Sequence, residues 1–180
     1  MPHRRTHFAV CTAIAVLFIA TTAAVAAEPF CVLSSADTME KVFRDEPTAR
    51  GPTALLTIEA ARNEVEGVQL IVAPAGKDDL RGATLNITDL QTPDGGRIAA
   101  ANIAWHVVGY VQTEKPAYKT PKIGWWPDPL LPGTGFDVKT GQVQPLWIDV
   151  RVPAEAKAGQ YRGAVSVCLA DGRRQSVPLE

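Results

Sequence analysis

The sequence predicts an all-β protein: an antiparallel β-sandwich of immunoglobulin or jelly-roll type, following an N-terminal signal peptide. Two patterns predict the sandwich. Apolar residues alternate with polar ones at period two along most of the chain, the mark of strands with one face on a core. Between these runs lie short clusters of turn-forming residues, with little helical spacing. A third pattern, confined to residues 1–27, predicts the leader. Arg4 and Arg5 precede a stretch without charge, residues 8–27, whose apolar centre at residues 13–20 gives way to small Val25, Ala26 and Ala27 before Glu28. A stretch of that length would also just span a bilayer as a retained anchor. The short apolar centre and the small-residue end favour cleavage. The remaining chain, residues 28–180, suits one domain with a core, placed in the secreted or periplasmic space and free of the membrane.

The elements follow in order. Phe30 to Leu33 opens the sandwich as a short strand. Ser35 to Phe43 has the composition of one or two helical turns, with Ser35 or Asp37 as cap. Leu56 and Ile58 alternate with Thr57 and Glu59, and Val68, Leu70 and Val72 alternate with Gln69 and Ile71. Leu85 and Ile87 mark the next strand, and Thr92-Pro93-Asp94-Gly95-Gly96 a tight turn. Residues 102–111 are apolar on both faces, as a central strand requires. Ile148, Val150 and Val152 form a further strand, and residues 153–159 a short connection. Val165, Val167 and Leu169 form the next, and Asp171-Gly172 signals a two-residue hairpin. Residues 175–180 read as a strand in progress, so the natural polypeptide is expected to continue or the frame to be truncated.

Composition excludes several function classes. Losing Arg4 and Arg5 takes the formal charge from −1 to −3, and no basic patch supports nucleic-acid binding. His3 and His7 leave with the leader, so only His106 remains, and no Ser-His-Asp or Cys-His set can be assembled. A lone His in an apolar strand is usually structural. No zinc spacing and no phosphate loop appear, so neither metal nor cofactor is implied. Glu64 and Glu66 would be near neighbours, but adjacent carboxylates seldom build a glycosidase pair. A solvated strand start, or Glu64 bonding to a nearby turn, is the better reading. Cys31 and Cys168 are a pair that either bridges the ends of an exported domain or stays as two small buried thiols. Cys168 alternates out of phase with Val165 and Val167, which speaks against the bridge.

One segment breaks the pattern. Residues 113–145 hold six of the fourteen prolines and two of the four tryptophans, which argues against a helix or central strand. The segment is expected to be a stiffened loop displaying Trp125 and Trp126. Asp128 sits between two prolines beside those rings, and Tyr118 lies nearby. A carboxylate beside aromatic rings can hold sugar hydroxyls while the rings stack on the sugar's apolar face. Equally, the rings can pack the loop onto its own sandwich. The candidate contact residues, for glycan or for a neighbouring domain, are therefore Trp125, Trp126, Asp128 and Tyr118, with no catalytic residue.

Four stretches taken in order carry a resemblance. They are residues 60–70 (Ala-Ala-Arg-Asn-Glu-Val-Glu-Gly-Val-Gln-Leu), residues 125–132 (Trp-Trp-Pro-Asp-Pro-Leu-Leu-Pro), residues 144–153 and residues 158–163. Together they resemble the N-terminal β-sandwich of proteins related to glycoside hydrolase family 123. In such proteins the sandwich precedes a large (β/α) barrel. The barrel of characterised members carries an Asp-Glu pair and releases terminal N-acetylgalactosamine with help from the substrate's acetamido group. The resemblance implies that the C-terminal catalytic barrel, the expected partner, is absent here and that no catalytic residue carries over. The expected role is a non-catalytic accessory domain, with carbohydrate as a second candidate partner. The alternatives are a free-standing carbohydrate-binding module and a periplasmic structural or adhesion domain.

Overall fold

The computed structural model describes residues 28–45, 50–120 and 122–180. The leader expected at residues 1–27 lies outside them. Strand β1 (Cys31–Ala36) pairs with β2 (Val65–Pro74), and the chain continues through β3 (Leu80–Ile87) to a small hairpin of β4 (Leu90–Gln91) and β5 (Arg97–Ile98). A 3-10 turn at Ala100–Asn102 leads into β6 (Ile103–Gln112). There follow β7 (Trp125–Pro132), β8 (Phe136–Val138), β9 (Gln144–Arg151), β10 (Gly163–Cys168) and β11 (Arg174–Leu179).

Two sheets pack face to face. One runs β1-β2-β9-β6-β7 and the other β11-β10-β3-β8, with every strand pair antiparallel. The period-two pattern explains which residues lie between them. Val68, Leu70 and Val72 of β2, Leu146, Ile148 and Val150 of β9, and Val165 and Val167 of β10 all join one buried cluster. β9 sits in the middle of its sheet, opposite β2 from Val65↔Arg151 to Val72↔Gln144 and opposite β6 from Ile103↔Val150 to Val107↔Leu146. No helix among the described residues is long and apolar enough to cross a membrane.

Four expectations need correction. Residues 35–43 form no helix: Asp37 Oδ1 accepts from the Met39 amide at 2.7 Å, making an Asx turn, after which the chain runs on without regular structure. A short polar side chain that can satisfy its own backbone competes with a helical turn. Leu56 and Ile58 form no strand of their own. Leu56 makes a single parallel bridge to Leu179, with the Leu56 and Ile58 amides donating to the Pro178 and Glu180 carbonyls. The hairpin at Asp171-Gly172 has a three-residue loop, residues 170–172, closed by Leu169 and Arg173, with Gly172 in left-handed backbone at φ 89°. The proline-rich segment is not wholly loop. Its middle is β7, an edge strand paired only with β6, and β8 and the start of β9 follow within it. An edge strand has half its donors facing no neighbour, so Pro127, Pro129 and Pro132 cost it little ladder. Gly109 falls at the register shift that absorbs the irregularity.

Cys31 and Cys168 lie in different sheets, and both thiols are free. Cys31 belongs to the buried cluster, whereas Cys168 faces away from it, out of phase with Val165 and Val167.

The core sets the stability. Leu70→Ala, at a fully buried site in β2, is expected to cost about 2–5 kcal/mol through lost burial and a residual cavity. Leu131→Ala, at an exposed site on the edge strand, should cost less than about 0.5 kcal/mol. Urea unfolding midpoints of the two variants measure the difference.

Candidate functional site

The outer face of the larger sheet, turned away from the core, is partly covered by the strap of residues 37–45. Four attachments hold the strap down. Gln69 of β2, buried at 3%, donates its Nε2 to the Asp37 carbonyl at 2.7 Å and to the Glu40 carbonyl at 2.8 Å. Val42 packs with Ala36, Ile71 and Val143 in a small second core. The Tyr110 hydroxyl of β6 donates to the Val42 carbonyl at 3.0 Å, and the Val143 amide donates to the Arg44 carbonyl at 3.0 Å. Burial pushes the Tyr110 phenol above its ordinary range, with Arg44 pulling it partly back down.

Both tryptophans are engaged by this strap. The Arg44 guanidinium lies 4.3 Å from the Trp125 ring centre and 5.3 Å from that of Tyr110. Trp126 meets Phe43 edge-on, with ring centres 5.2 Å apart at 82°, and its Nε1 donates to the Lys122 carbonyl at 3.3 Å. Lys122 Nζ sits 3.9 Å over the Phe43 ring and 3.3 Å from Asp45 Oδ1. Cation–π and edge-to-face contacts of this kind contribute roughly 0.5–2 kcal/mol each. The structure thus gathers Trp125 and Trp126 into a cluster with Phe43, Arg44, Tyr110 and Lys122. Trp125 keeps 37% of its surface exposed.

Tyr118 and Asp128 do not join that cluster. Tyr118, 76% exposed, stands on the connection between β6 and β7, whose neck is closed by Thr113 and Gly124. Asp128 is exposed and makes no hydrogen bond or ion pair among the described residues. Of the two structural roles open to Glu64, it takes the turn: its Oε2 accepts from the Ala61 amide at 2.6 Å, beside Asn63 at φ 64°.

Two further features escaped the sequence reading. A cleft of about 470 Å³ opens at the end of the sandwich, between residues 57–62, the end of β9 and residues 157–161. Its floor is apolar, with Leu90, Ile98, Val150 and Leu179, and Glu180 at its rim is paired with Arg162 at 2.6 Å. The other feature lies on the outer face beyond the strap. There Trp147 Nε1 donates to Asp149 Oδ1 at 2.7 Å, and His106 Nε2 stands 3.6 Å from Asp149 Oδ2. The signal was present, since Trp147 and Asp149 occupy the phase of β9 that does not enter the core. The cross-strand register that joins them to His106 was not legible.

The comparison with known families decides the affiliation. Residues 36–169 match the family described as glycoside hydrolase 123 N-terminal domain. The chain belongs to that family. Among solved structures, the family 123 glycoside hydrolase from Clostridium perfringens, studied for glycolipid glycan hydrolysis, aligns with a TM-score of 0.69 at 14% identity. The alignment covers 84% of this chain and 26% of that one, so this chain spans about a quarter of the hydrolase. A second structure, AvmM, which catalyses macrocyclization in alchivemycin A biosynthesis, aligns with a TM-score of 0.42 at 8% identity over 83% of this chain and 88% of that one. No curated protein matches the chain. The family 123 sandwich is therefore this chain's fold, and an accessory domain of a glycoside hydrolase is the role that fits the family.

A test of burial follows from the first strand. Burial pushes the Cys31 thiol from an ordinary value of 9.0 up to about 12. The folded chain accepts only the neutral thiol, so this contribution is complete below pH 9 and declines as the pH climbs from 9 toward 12, where the unfolded thiol ionises first. The urea midpoint should fall between about pH 8 and about pH 11, and Cys31→Ala should flatten that fall. An equal decline in the variant would assign the pH dependence to other groups.

Proposed function

We propose that this chain is a non-catalytic accessory domain of an exported glycoside-hydrolase-like protein, serving to brace a C-terminal catalytic barrel. The observation that carries the reading is the family match over residues 36–169, together with the small share of the hydrolase that this fold accounts for. The bracing face is the edge formed by β7 and the connection before it. Val111, Ile123, Leu130 and Leu131 are exposed along it, and Tyr118 is exposed on the connection. Exposed apolar side chains grouped on one edge mark a contact surface more often than an idle one. Because Trp125 and Trp126 are held by the strap, they shape and stiffen this edge and leave the contact itself to the aliphatic side chains and Tyr118. Export rests on the leader-like residues 1–27.

A second reading, the free-standing carbohydrate module, draws on Tyr118 and Asp128, which are exposed and uncommitted enough to meet a glycan. In the accessory-domain reading, the purified chain shows no turnover of aryl glycosides. Activity that is lost on replacing a carboxylate of this chain would refute it. A paired measurement addresses the face. A family 123 barrel domain added in solution should bind the chain, and Leu130→Ser with Leu131→Ser should weaken binding by about tenfold without lowering the melting temperature. Glycan-array binding that depends on Tyr118, with no affinity for the barrel, would favour the second reading instead.

A further inference from the structure

The outer face of the larger sheet is covered by the strap at one end only. At the other end, β9 places Trp147 and Asp149 half-buried on the open side, while Leu146, Ile148 and Val150 point to the core. The residues opposite Asp149 are unusually small. They are Gly67 on β2 and Ala104 on β6. A Cβ at Gly67 would lie 3.0 Å from Asp149 Oδ1 and 3.0 Å from Trp147 Nε1, with the Ile148 carbonyl at 3.3 Å. Glycine inside a strand costs stability, and it often marks a place where another group must approach the backbone closely. Here it lets the Trp147–Asp149 hydrogen bond lie down across β2 and keeps the surface beside it low.

That surface is a depression of about 220 Å³ lined by Val65, Ala101, Asn102, Ala104, Asp149 and Arg151. Its chemistry is mixed. Asp149 Oδ1 is taken by Trp147, whereas Oδ2 accepts no hydrogen bond among the described residues, the His106 ring standing 3.6 Å away. The carboxylate is thus fixed in orientation with acceptor capacity left over. Arg151 and Asn102 supply donors, and Val65, Ala101 and Ala104 supply apolar surface. The charges of Asp149 and Arg151 offset each other, which disfavours a bare cation or anion as occupant. The volume falls below the roughly 300–1,000 Å³ of sites for larger ligands, so one small unit fits.

We propose that this depression binds a single neutral sugar unit, with Asp149 and Arg151 meeting its hydroxyls, Ala104 and Val65 its C–H surface, and Trp147 acting as the positioning residue for the carboxylate. Vicinal hydroxyls donate and accept side by side, which is what a fixed carboxylate next to a guanidinium recognises. The site is distinct from the Trp125–Trp126 cluster and does not rest on the bracing role proposed above.

The test is titration of the whole chain, labelled with nitrogen-15, with methyl glycosides of common monosaccharides, followed by amide and indole resonances. At least one glycoside should bind in the millimolar range and shift the Trp147 indole signal and the Gly67 and Ala104 amides, leaving the Trp125 and Trp126 indoles unmoved. Asp149→Asn, which keeps an acceptor for Trp147, should weaken binding by about tenfold or more, and Arg151→Gln should weaken it too. Gly67→Val should weaken it strongly, because the added side chain would push Asp149 and Trp147 out of place. Asp149→Asn and Arg151→Gln replace half-buried and exposed side chains and keep the fold, as the unshifted remainder of the spectrum would confirm. Absence of shifts with every glycoside would overturn the proposal. So would shifts produced equally by glycerol, by acetate or by guanidinium, or shifts unaltered in Asp149→Asn and Arg151→Gln.

Discussion

Everything in this molecule is arranged around one strand with two chemistries. β9 lies between β2 and β6, and one phase of its residues, Leu146, Ile148 and Val150, fills the space between the sheets. Each such side chain contributes roughly 1.5–3 kcal/mol when fully buried. The ion pairs on the surface, such as Arg97 with Asp89 and Arg173 with Asp171, are more than half exposed on the arginine side, where water screens them and their contribution is small. Burial therefore decides the fold, and the ion pairs decorate it. A one-residue slip of β9 would turn Trp147 and Asp149 inward and Ile148 outward, so the register is fixed by the same contact that fixes the core.

The strap shows how a β-sandwich can cover part of one sheet face without a helix. Gln69 is the hinge of that arrangement. A buried amide must find partners, and it finds two strap carbonyls that would otherwise lose theirs. With the strap seated, Phe43 and Arg44 come to rest beside Trp126 and Trp125. The indoles are then fasteners between the strap and the edge strand. Prolines in β7 serve the same end, because they stiffen the edge and leave few free donors for unwanted pairing. The result is an edge that is both rigid and partly apolar.

Much of this was legible in the sequence, and the reasons for the rest are physical. β2, β6, β9 and β10 were legible because each buries one or both faces and so writes a periodic pattern. The four stretches that resemble family 123 fall mainly on β2, β7, β9 and the approach to β10, and the family assignment followed from them. The segment at Leu56 and Ile58 misled, since its alternation serves a single bridge to β11 and no ladder. β7 misled for the opposite reason: prolines that forbid a central strand are tolerated at an edge. The strap has no periodicity to read, as its partners Gln69, Tyr110 and Val143 come from three distant places in the chain. The proline run singles out Trp125 and Trp126 in the sequence, but that they pack on their own chain is decided by Phe43 and Arg44. The Trp147–Asp149–His106 group was invisible for the same reason, being assembled by strand register.

The central claim is that the two indoles beside the proline run fasten the fold and do not wait for a ligand. The most direct measurement is a nuclear Overhauser spectrum of the purified chain in solution without added sugar. The account predicts cross-peaks between the Phe43 and Trp126 rings, together with Arg44 side-chain protons moved upfield by the Trp125 and Tyr110 rings. Absence of those cross-peaks, with the Arg44 protons at random-coil positions, would show the rings standing free and would contradict it.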